Sequence, residues 1–435
     1  MAKRKLSKKA RRKKFIIKLF FVLLIIVAIL IGIFVFTRKD IEFLKNIDYK
    51  NSGDITYYNI YGIHMNFNGV FELSDDFSNP KLVLANGNKE NVIDWKLDND
   101  GNSYSFETSN YINDGINLES LDTGTYYLLI KAETKENDET VYKYFPLTNA
   151  TEYDDLTYYT LTKNNSNKKI DITWDRFENN ELLGFNIKNT KLPDDVYDIT
   201  IDPGHDGNDV GMIVCANGEV PNNSGECANS KAYKESDINF TVSEALKEEL
   251  ESLGYKVKLT RNSKEDIVPT YGEMGSGTTA NATKSKFNFA LHHNSTNVPG
   301  GMATTHGLEV YVAGDSKFDL AKLLVENVCK YGKTSVSTKN EFKVEDGIYQ
   351  RFSDDGITPY YYMIREVGGI ATHAYVDGSN SNYDENPYYN SNNTAESYLL
   401  ELGYIDNVKE LQNILDSPEG YAEGIAKALE EYLEK

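Results

Sequence analysis

The second half of the chain alternates strand-type and helix-type segments, and no other feature of the sequence constrains the fold as strongly. Strand-type runs lie at 197–202, 255–260, 287–292, 307–312 and 398–405, and segments with helical apolar spacing lie at 238–253, 318–331 and 419–433. Strands joined by helices of this length favour a mostly parallel sheet with helices on both faces. The sequence therefore predicts an α/β domain over residues 193–435.

Residues 53–192 carry a different pattern, in which short strand-type runs are separated by Asn, Asp and Gly. The runs lie at 55–67, 81–84, 104–107, 124–132, 141–145 and 169–174. This spacing predicts an all-β accessory domain, an antiparallel sandwich of the immunoglobulin type, which we expect to serve as a spacer or a binding module. Its only histidine, His64, stands beside Ile63 and Met65 and is predicted to be structural.

The N-terminus combines a basic segment with an apolar run. Residues 1–39 hold twelve Lys and Arg and no acid, which leaves 34 bases, 66 acids and a net charge of −32 for the rest of the chain. We predict a basic cytoplasmic tail at 1–14, one transmembrane helix at 15–36 and a linker at 37–52, with everything beyond outside the cell. A cleavable signal peptide is the alternative, but its apolar stretch is usually only about 7–15 residues long. The acidic remainder excludes nucleic acid as a partner.

Three unusual polar residues stand at or near predicted strand ends. His205 follows a Pro-Gly turn after the first strand, His292 closes an apolar strand, and Glu401 interrupts a strand that should be buried on both faces. Ligands of such sheets bind at the carboxyl ends of the strands, and a buried acid needs a partner. For Glu401 the partner is either a metal or its water, or a neighbouring Lys or Arg.

Two histidines and one carboxylate around an open fourth position are the ligand set of a catalytic zinc hydrolase. If Glu401 serves the water instead of the metal, a third ligand is required, and Glu235 at the start of the amphipathic helix is the best candidate. The alternative for Glu235 is an acid that complements the helix dipole. His293 also stays a candidate, although neighbouring strand residues point to opposite faces, so only one of His292 and His293 should reach a metal.

These residues resemble the zinc-dependent N-acetylmuramoyl-L-alanine amidases of bacterial cell-wall metabolism, the type 3 amidase family. The resemblance covers roughly residues 195–435 and rests on five fragments in the family's order. They are Ile-Asp-Pro-Gly-His at 201–205, Glu235 opening a helix that leads to Leu-Thr-Arg at 259–261, Ala-Leu-His-His-Asn at 290–294, Gly-Leu-Glu-Val-Tyr at 307–311, and Glu-Leu-Gly-Tyr-Ile-Asp-Asn at 401–407. The resemblance implies His205, Glu235 and His292 as zinc ligands, favours His292 over His293, and makes Glu401 the catalytic carboxylate.

The resemblance further implies a peptidoglycan hydrolase of the bacterial cell wall. Zinc-activated water would cleave the amide between N-acetylmuramic acid and L-alanine of the stem peptide, with Glu401 as general base. Two other function classes stay open: an inactive amidase-like protein that binds or regulates at the wall, and a zinc peptidase that cuts within the stem peptide. The sequence identifies no protein partner for the accessory domain.

Some positions depart from the family pattern or lack an assigned role. Asp206 stands where the family usually has a second glycine, and the arginines often found ahead of the Ala-Asn pair at 280–281 are absent. Cys215 and Cys227 flank a Gly- and Asn-rich loop and could close a disulfide outside the cytoplasm. Cys329 is predicted to lie buried on a helix.

An Asn- and Tyr-rich insertion runs from about 366 to 394 and carries His373. It is predicted to be a solvated or substrate-contacting loop. The alternative is a Ca²⁺ site, since oxygen ligands suit hard cations; its candidate ligands are Asp377, Asn380, Asn382 and Asp384.

Overall fold

The fold is known from a computed structural model of the chain. It describes residues 18–20, 22, 47–86, 90–93, 95–107, 111–149, 156–163, 167–177, 180–219, 221, 227, 230–269, 275–296, 303–314, 316–356, 358–367 and 393–434. The predicted cytoplasmic tail, nearly all of the predicted transmembrane helix and most of the linker lie outside these residues. So do His373 and the four candidate Ca²⁺ ligands of the insertion. Within the described part of the chain, no helix is both long and apolar enough to cross a membrane.

The first half of the described chain is rich in strands, as its sequence predicts. They are β1 (Gly53–Tyr61), β2 (His64–Glu72), β3 (Ser78–Ala85), β4 (Glu90–Ile93), β5 (Leu97–Asp100), β6 (Ser103–Glu107), β7 (Ile116–Asn117), β8 (Gly124–Glu136), β9 (Glu139–Asn149), β10 (Leu156–Tyr159), β11 (Lys168–Phe177) and β12 (Asn180–Asn189). The run predicted at 55–67 is two strands, because the chain turns at Gly62, whose φ is +62°. Glycine adopts this left-handed conformation without the steric cost that a side chain adds.

These strands share one hydrogen-bonded network, in which β10, β11, β12, β8, β9, β1, β2, β6 and β5 follow one another. Most neighbours are antiparallel, but β1 runs parallel to β9. Alternate residues, such as Leu128 and Ile130 of β8, are buried in a core that also contains Phe67 and Phe185. The prediction of an immunoglobulin-type sandwich of two separate sheets stays a prediction. Burial lowers the pKa of His64 to about 4, which is consistent with a structural role.

The second half of the described chain alternates strands and helices. It contains β13 (Ile199–Pro203), β14 (Ile213–Cys215), β15 (Ala232–Lys234), α1 (Glu235–Ser252), β16 (Val257–Leu259), α2 (Ser276–Ala282), β17 (Phe287–Asn294), β18 (Glu309–Tyr311), α3 (Asp319–Tyr331), β19 (Lys343–Glu345), β20 (Ile348–Tyr349), α4 (Tyr362–Val367), β21 (Asn393–Thr394), β22 (Glu396–Tyr404), α5 (Val408–Asp416) and α6 (Pro418–Leu433). Seven of the strands form a sheet in the order β16-β13-β17-β22-β18-β20-β19.

Most pairings in this sheet are parallel, as predicted, although the sheet is mixed. The strands β16, β13, β17 and β22 are mutually parallel, but β18 is antiparallel to β22. A parallel neighbour requires the chain to cross to the other end of the sheet first, whereas β18 follows β17 in the chain and runs back beside β22. Segment periodicity contains no information about this choice of direction.

Helices cover both faces of the sheet, as predicted. Phe289 and Leu291 of β17 point into a core formed with α1, α3 and α6. Ala290, between them, belongs to the core formed with Ala280 of α2 and Met363 of α4. This alternation assigns every residue of β17 to one face or the other.

The strand-rich half contacts the sheet at the amino ends of the parallel strands. β1 pairs with β21, Thr162 donates its N–H to Asp198 just before β13, and Asn113 donates to Glu396 at the start of β22. Lys286, just before β17, is buried and lies 4.0 Å from Asp198. The predicted ligand-binding end of the sheet is the opposite one. The domain boundary at 192/193 stays a prediction.

Candidate metal centre

Three predicted metal ligands come together at the carboxyl ends of β13 and β17 and at the first turn of α1. Ligand atoms of His205, Glu235 and His292 all lie within 4.8 Å of one another. Glu235 Oε1 lies 3.1 Å from His205 Nε2 and 3.4 Å from His292 Nδ1. Two imidazoles and one carboxylate at these separations provide the donor set of a three-ligand zinc site.

The turn after β13 positions His205 through an unusual backbone conformation. The φ of His205 is +62°, which is uncommon for a residue other than glycine. Its Nδ1–H donates to Asp209 Oδ2 over 3.1 Å, so Nε2 is left to face Glu235. A Cβ at Gly204 would lie 2.3 Å from His292 Nε2. The ring of His292 therefore packs against this turn in space that a side chain at residue 204 would occupy.

A second glycine lies against the carboxylate of the cluster. Gly211 has a φ of +64°, and a Cβ there would lie 2.6 Å from both Glu235 Oε2 and His205 Cδ2. The backbone N–H of Met212 donates to Glu235 Oε2, and the N–H of His293 donates to Glu235 Oε1, over 3.1 and 3.2 Å. The backbone thus encloses the carboxylate on two sides and fixes its direction.

Asn239, one helical turn after Glu235, connects the parts of the site. Its amide donates to the carbonyl of Gly204 over 3.0 Å and to Glu235 Oε1 over 3.4 Å. Its Oδ1 accepts the Nδ1–H of His293 over 2.6 Å. His293 therefore faces α1, on the opposite side of β17 from His292. Asn239 was not predicted from the sequence, although its spacing of four residues from Glu235 places both on one helix face.

Burial and mutual contact oppose each other in setting the proton affinity of the cluster. Burial on its own would lower the pKa of His205, but its hydrogen bonds to Glu235 and Asp209 raise it to about 9. Burial likewise opposes protonation of His292, and Glu235 and Glu401 outweigh it and raise that pKa. The two imidazoles hold the pKa of Glu235 below its usual range despite its burial. A cation bound here would displace protons.

Glu401 lies beside this cluster on β22. The strand register pairs it with His292 on β17 and with Glu309 on β18. Burial raises the pKa of Glu401 to about 7, although His292 acts in the opposite direction. Its carboxylate forms no ion pair with a Lys or Arg that the structure describes, so the predicted alternative of a salt bridge is not found there. A carboxyl group that titrates near neutrality suits proton transfer.

Another buried acid, Glu309, is surrounded by donors. The hydroxyls of Tyr311, Ser337 and Tyr404 donate to its oxygens, and Lys339 Nζ lies 3.5 Å away. Glu309 belongs to the fragment at 307–311 that carries the family resemblance, but the sequence alone gave it no role. The structure shows it as a fixed carboxylate opposite Glu401.

A cavity of about 140 Å³ lies beside the imidazoles, lined by residues that include His205, His292, Asp202, Ser276 and Tyr362. Thr260 donates its hydroxyl to Asp202 over 2.6 Å. Arg261 donates to the carbonyls of Pro203 and Ser236. The Leu-Thr-Arg fragment therefore joins the end of β13 to the start of α1, which fixes His205 and Glu235 relative to each other.

The structure also shows the environment of Asp206, which departs from the family pattern, and of the three cysteines. Asp206 accepts the backbone N–H groups of Asn208, Asp209 and Val268, so this side chain stabilises the loop in which the family usually has glycine. Cys215 and Cys227 form the disulfide. Cys329 is only half-buried on α3, which corrects the prediction of burial, because it lies at the margin of the core.

The fold and this site define a hydrolase with a candidate metal centre. Residues 199–431, more than half of the chain, match the family described as N-acetylmuramoyl-L-alanine amidase. The chain belongs to this family, and the predicted enzyme class is confirmed.

Solved structures with a similar fold include three from bacteria. Cwp6 from Clostridium difficile has 19% identity and a TM-score of 0.37, over 54% of this chain and 29% of that one. The catalytic domain of CwlV, an N-acetylmuramoyl-L-alanine amidase from Bacillus (Paenibacillus) polymyxa var. colistinus, has 20% identity and a TM-score of 0.37, over 55% and 99%. The amidase AmiC2 of Nostoc punctiforme has 20% identity and a TM-score of 0.36, over 55% and 97%. The chain thus spans less than a third of Cwp6. No curated protein matches the chain.

Proposed function

We propose that the chain hydrolyses the amide between N-acetylmuramic acid and L-alanine of the peptidoglycan stem peptide. Membership of the amidase family supports the bond type and the substrate. The observation that carries the proposal is the convergence of His205, Glu235 and His292 with Glu401 in register opposite His292. These residues come from four separate segments and provide metal ligands and a general base in one place.

Zn²⁺ fits the residues present. His205, Glu235 and His292 would hold it. Asp209, which accepts a hydrogen bond from His205 Nδ1, is the kind of outer carboxylate that commonly orients a zinc-bound histidine. When bound, zinc supplies a Lewis acid that lowers the pKa of water and polarises a carbonyl.

Glu401 is the proton carrier of the proposed reaction. Its carboxylate accepts a proton from the water that attacks the amide carbonyl, and then donates this proton to the amine of L-alanine as the C–N bond breaks. A pKa of about 7 allows both directions of transfer at neutral pH. Met212, His293 and Asn239 hold Glu235 in place, and Asp209 holds His205, so the ligands are oriented before a substrate binds.

Glu401→Gln is the test of this role. Because only the proton carrier is removed, the variant should retain zinc, while release of peptides with N-terminal L-alanine from purified peptidoglycan should fall about 10²- to 10⁴-fold. Glu396→Gln is the matched control, since it makes the same change at the other end of β22 and should release peptide as the wild type does.

Mass analysis of the digested muropeptides separates the other function classes. A peptidase acting within the stem peptide would leave L-alanine attached to the sugar. If the protein were an inactive wall-binding protein, even the wild type would release no peptide. Undiminished release by Glu401→Gln would reject the assigned role.

We also propose that residues 15–36 anchor the chain in the cell membrane, with the catalytic domain on the outer side at the wall. The charge contrast between residues 1–39 and the rest of the chain supports this orientation. The Cys215–Cys227 disulfide supports it as well, because disulfides persist outside the cytoplasm. Protease added to cells with intact membranes should digest the catalytic domain; protection of the domain would contradict the proposed orientation.

A further inference from the structure

A cation that has no acidic partner among the described residues lies in a cluster of aromatic rings. The guanidinium of Arg351 lies 3.6 Å from the ring centroid of Tyr360, 5.0 Å from that of Phe342 and 5.9 Å from that of Tyr361. No carboxylate in the part of the chain that the structure describes lies within 4.0 Å of this guanidinium. Arg351 is half-exposed, and Tyr360 is 47% exposed. We call Arg351, Phe342, Tyr360 and Tyr361 the arginine wall.

The arginine wall is connected to the proposed proton carrier through residues of β18. The ring of Tyr361 lies 4.7 Å from that of Tyr311, and Tyr311 lies on the same face of β18 as Glu309, which pairs with Glu401. Burial raises the pKa of Tyr361 to about 12, the charge of Glu401 acts in the same direction, and Arg351 opposes both. Contacts from Arg351 through Tyr361 and Tyr311 to Glu309 therefore lead to the strand position opposite Glu401. The next residue, Tyr362, lines the cavity beside the imidazoles.

The wall is held rigidly from behind. The N–H of Tyr360 donates to the carbonyl of Arg351 over 2.9 Å, and Phe352 pairs with Pro359 in an antiparallel bridge. Arg365, which is buried, donates to the carbonyls of Pro359 and Tyr360 over 3.2 Å each. Because the guanidinium is planar and its N–H groups form a fixed fork, Arg351, held against the ring of Tyr360, can bind a planar acceptor with two oxygens.

The chemistry of the proposed substrate identifies that acceptor. The lactyl carboxyl group of N-acetylmuramic acid is consumed in the amide that is cut, and N-acetylglucosamine has no carboxyl group. Free carboxylates of the substrate therefore lie on the peptide side of the cleaved bond. The chain beyond residue 39 has a net charge of −32, and this charge repels an acidic peptide. A cation beside the site would offset that repulsion locally.

We propose that Arg351 binds a carboxylate of the stem peptide and thereby selects acidic stem peptides over their amidated forms; this proposal rests on the proposed function. Two synthetic muramoyl peptides test this, identical except that the free carboxyl groups are acids in one and carboxamides in the other. The wild type should prefer the acid about 10- to 100-fold in kcat/KM, mainly through KM, since a charge-assisted bidentate contact has that strength.

Arg351→Gln should reduce this preference to near one, by weakening turnover of the acid substrate while leaving that of the carboxamide substrate within about twofold of the wild type. Arg351→Lys keeps a charge but loses the planar fork, so it should retain only part of the preference. Lys343→Gln is the matched control, because this exposed lysine pairs with Asp346 and lies outside the wall; it should keep the full preference.

Each outcome decides the proposal. Equal losses on both substrates would show that Arg351 only stabilises the wall, and an unchanged preference would show that it does not contact the peptide; either result overturns the proposal. If Arg351→Gln does not fold, the preference of Arg351→Lys decides alone, and the wild-type value overturns the proposal. Absence of wild-type release from both substrates, with zinc bound, would instead count against the proposed function itself.

Discussion

Replacing Gly211 by alanine tests whether the metal centre depends on the close approach of the backbone to Glu235. The new Cβ would lie 2.6 Å from Glu235 Oε2 and from His205 Cδ2. Ordinary contact begins at 3.4 Å, so the carboxylate has to move by about 0.8 Å, several times the ~0.2 Å tolerance of metal–ligand distances. Because two of the three proposed ligands are displaced, we expect zinc affinity to fall at least 10- to 100-fold.

Gly101→Ala separates this contact from the cost of the backbone conformation. Gly101 has the same φ of +64° and has no atom within 4 Å of the position its Cβ would take. Alanine at either position should cost about 1–2 kcal/mol of unfolding free energy through the left-handed conformation alone, but only Gly211→Ala should lose zinc.

Two measurements on each variant are sufficient. Competition with a chromophoric chelator gives the zinc affinity, and urea unfolding of the metal-free protein gives the stability. Wild-type zinc affinity in Gly211→Ala would refute the reasoning, and so would an equal loss of zinc in Gly101→Ala.

Two further predictions concern stability and metal binding. Burial, partly offset by hydrogen bonds from Tyr398 and Asn113, raises the pKa of Glu396 from 4.5 to about 7, so its contribution to stability is present below pH 4.5 and is lost as the pH rises to 7. Glu396→Gln should therefore gain about 3 kcal/mol relative to the wild type between pH 4.5 and 8 in urea unfolding; a constant difference across this range would contradict the buried acid. Asn239→Ala should weaken zinc binding about 10- to 100-fold. The control is Asn327→Ala, which removes a buried helical asparagine that bonds within its own helix and should leave zinc affinity unchanged. Equal losses of zinc affinity in both variants would show a general packing effect instead.

The unusual positions of three residues were visible in the sequence. A histidine on a Pro-Gly turn, a histidine closing an apolar strand and an acid within a buried strand each contradict the pattern of the segment that contains them. Natural sequences accept such conflicts mainly at functional sites. The structure brings His205 and His292 together and sets Glu401 opposite His292, which the periodicity of separate segments could not establish.

What the sequence determined by itself is the local content of the fold: which segments form strands or helices, which of their faces are buried, and which polar residues stand at strand ends. These properties depend on neighbours within a few residues along the chain. The tertiary structure alone decided the rest: the reversed direction of β18, the contact of Glu235 with both imidazoles, the turning of His293 toward Asn239, and the approach of the strand-rich half to the end of the sheet remote from the site. Those outcomes depend on strand register and on distances between residues far apart in the chain. The apolar pattern of a single segment cannot predict them, because it is the same in every arrangement of the segments.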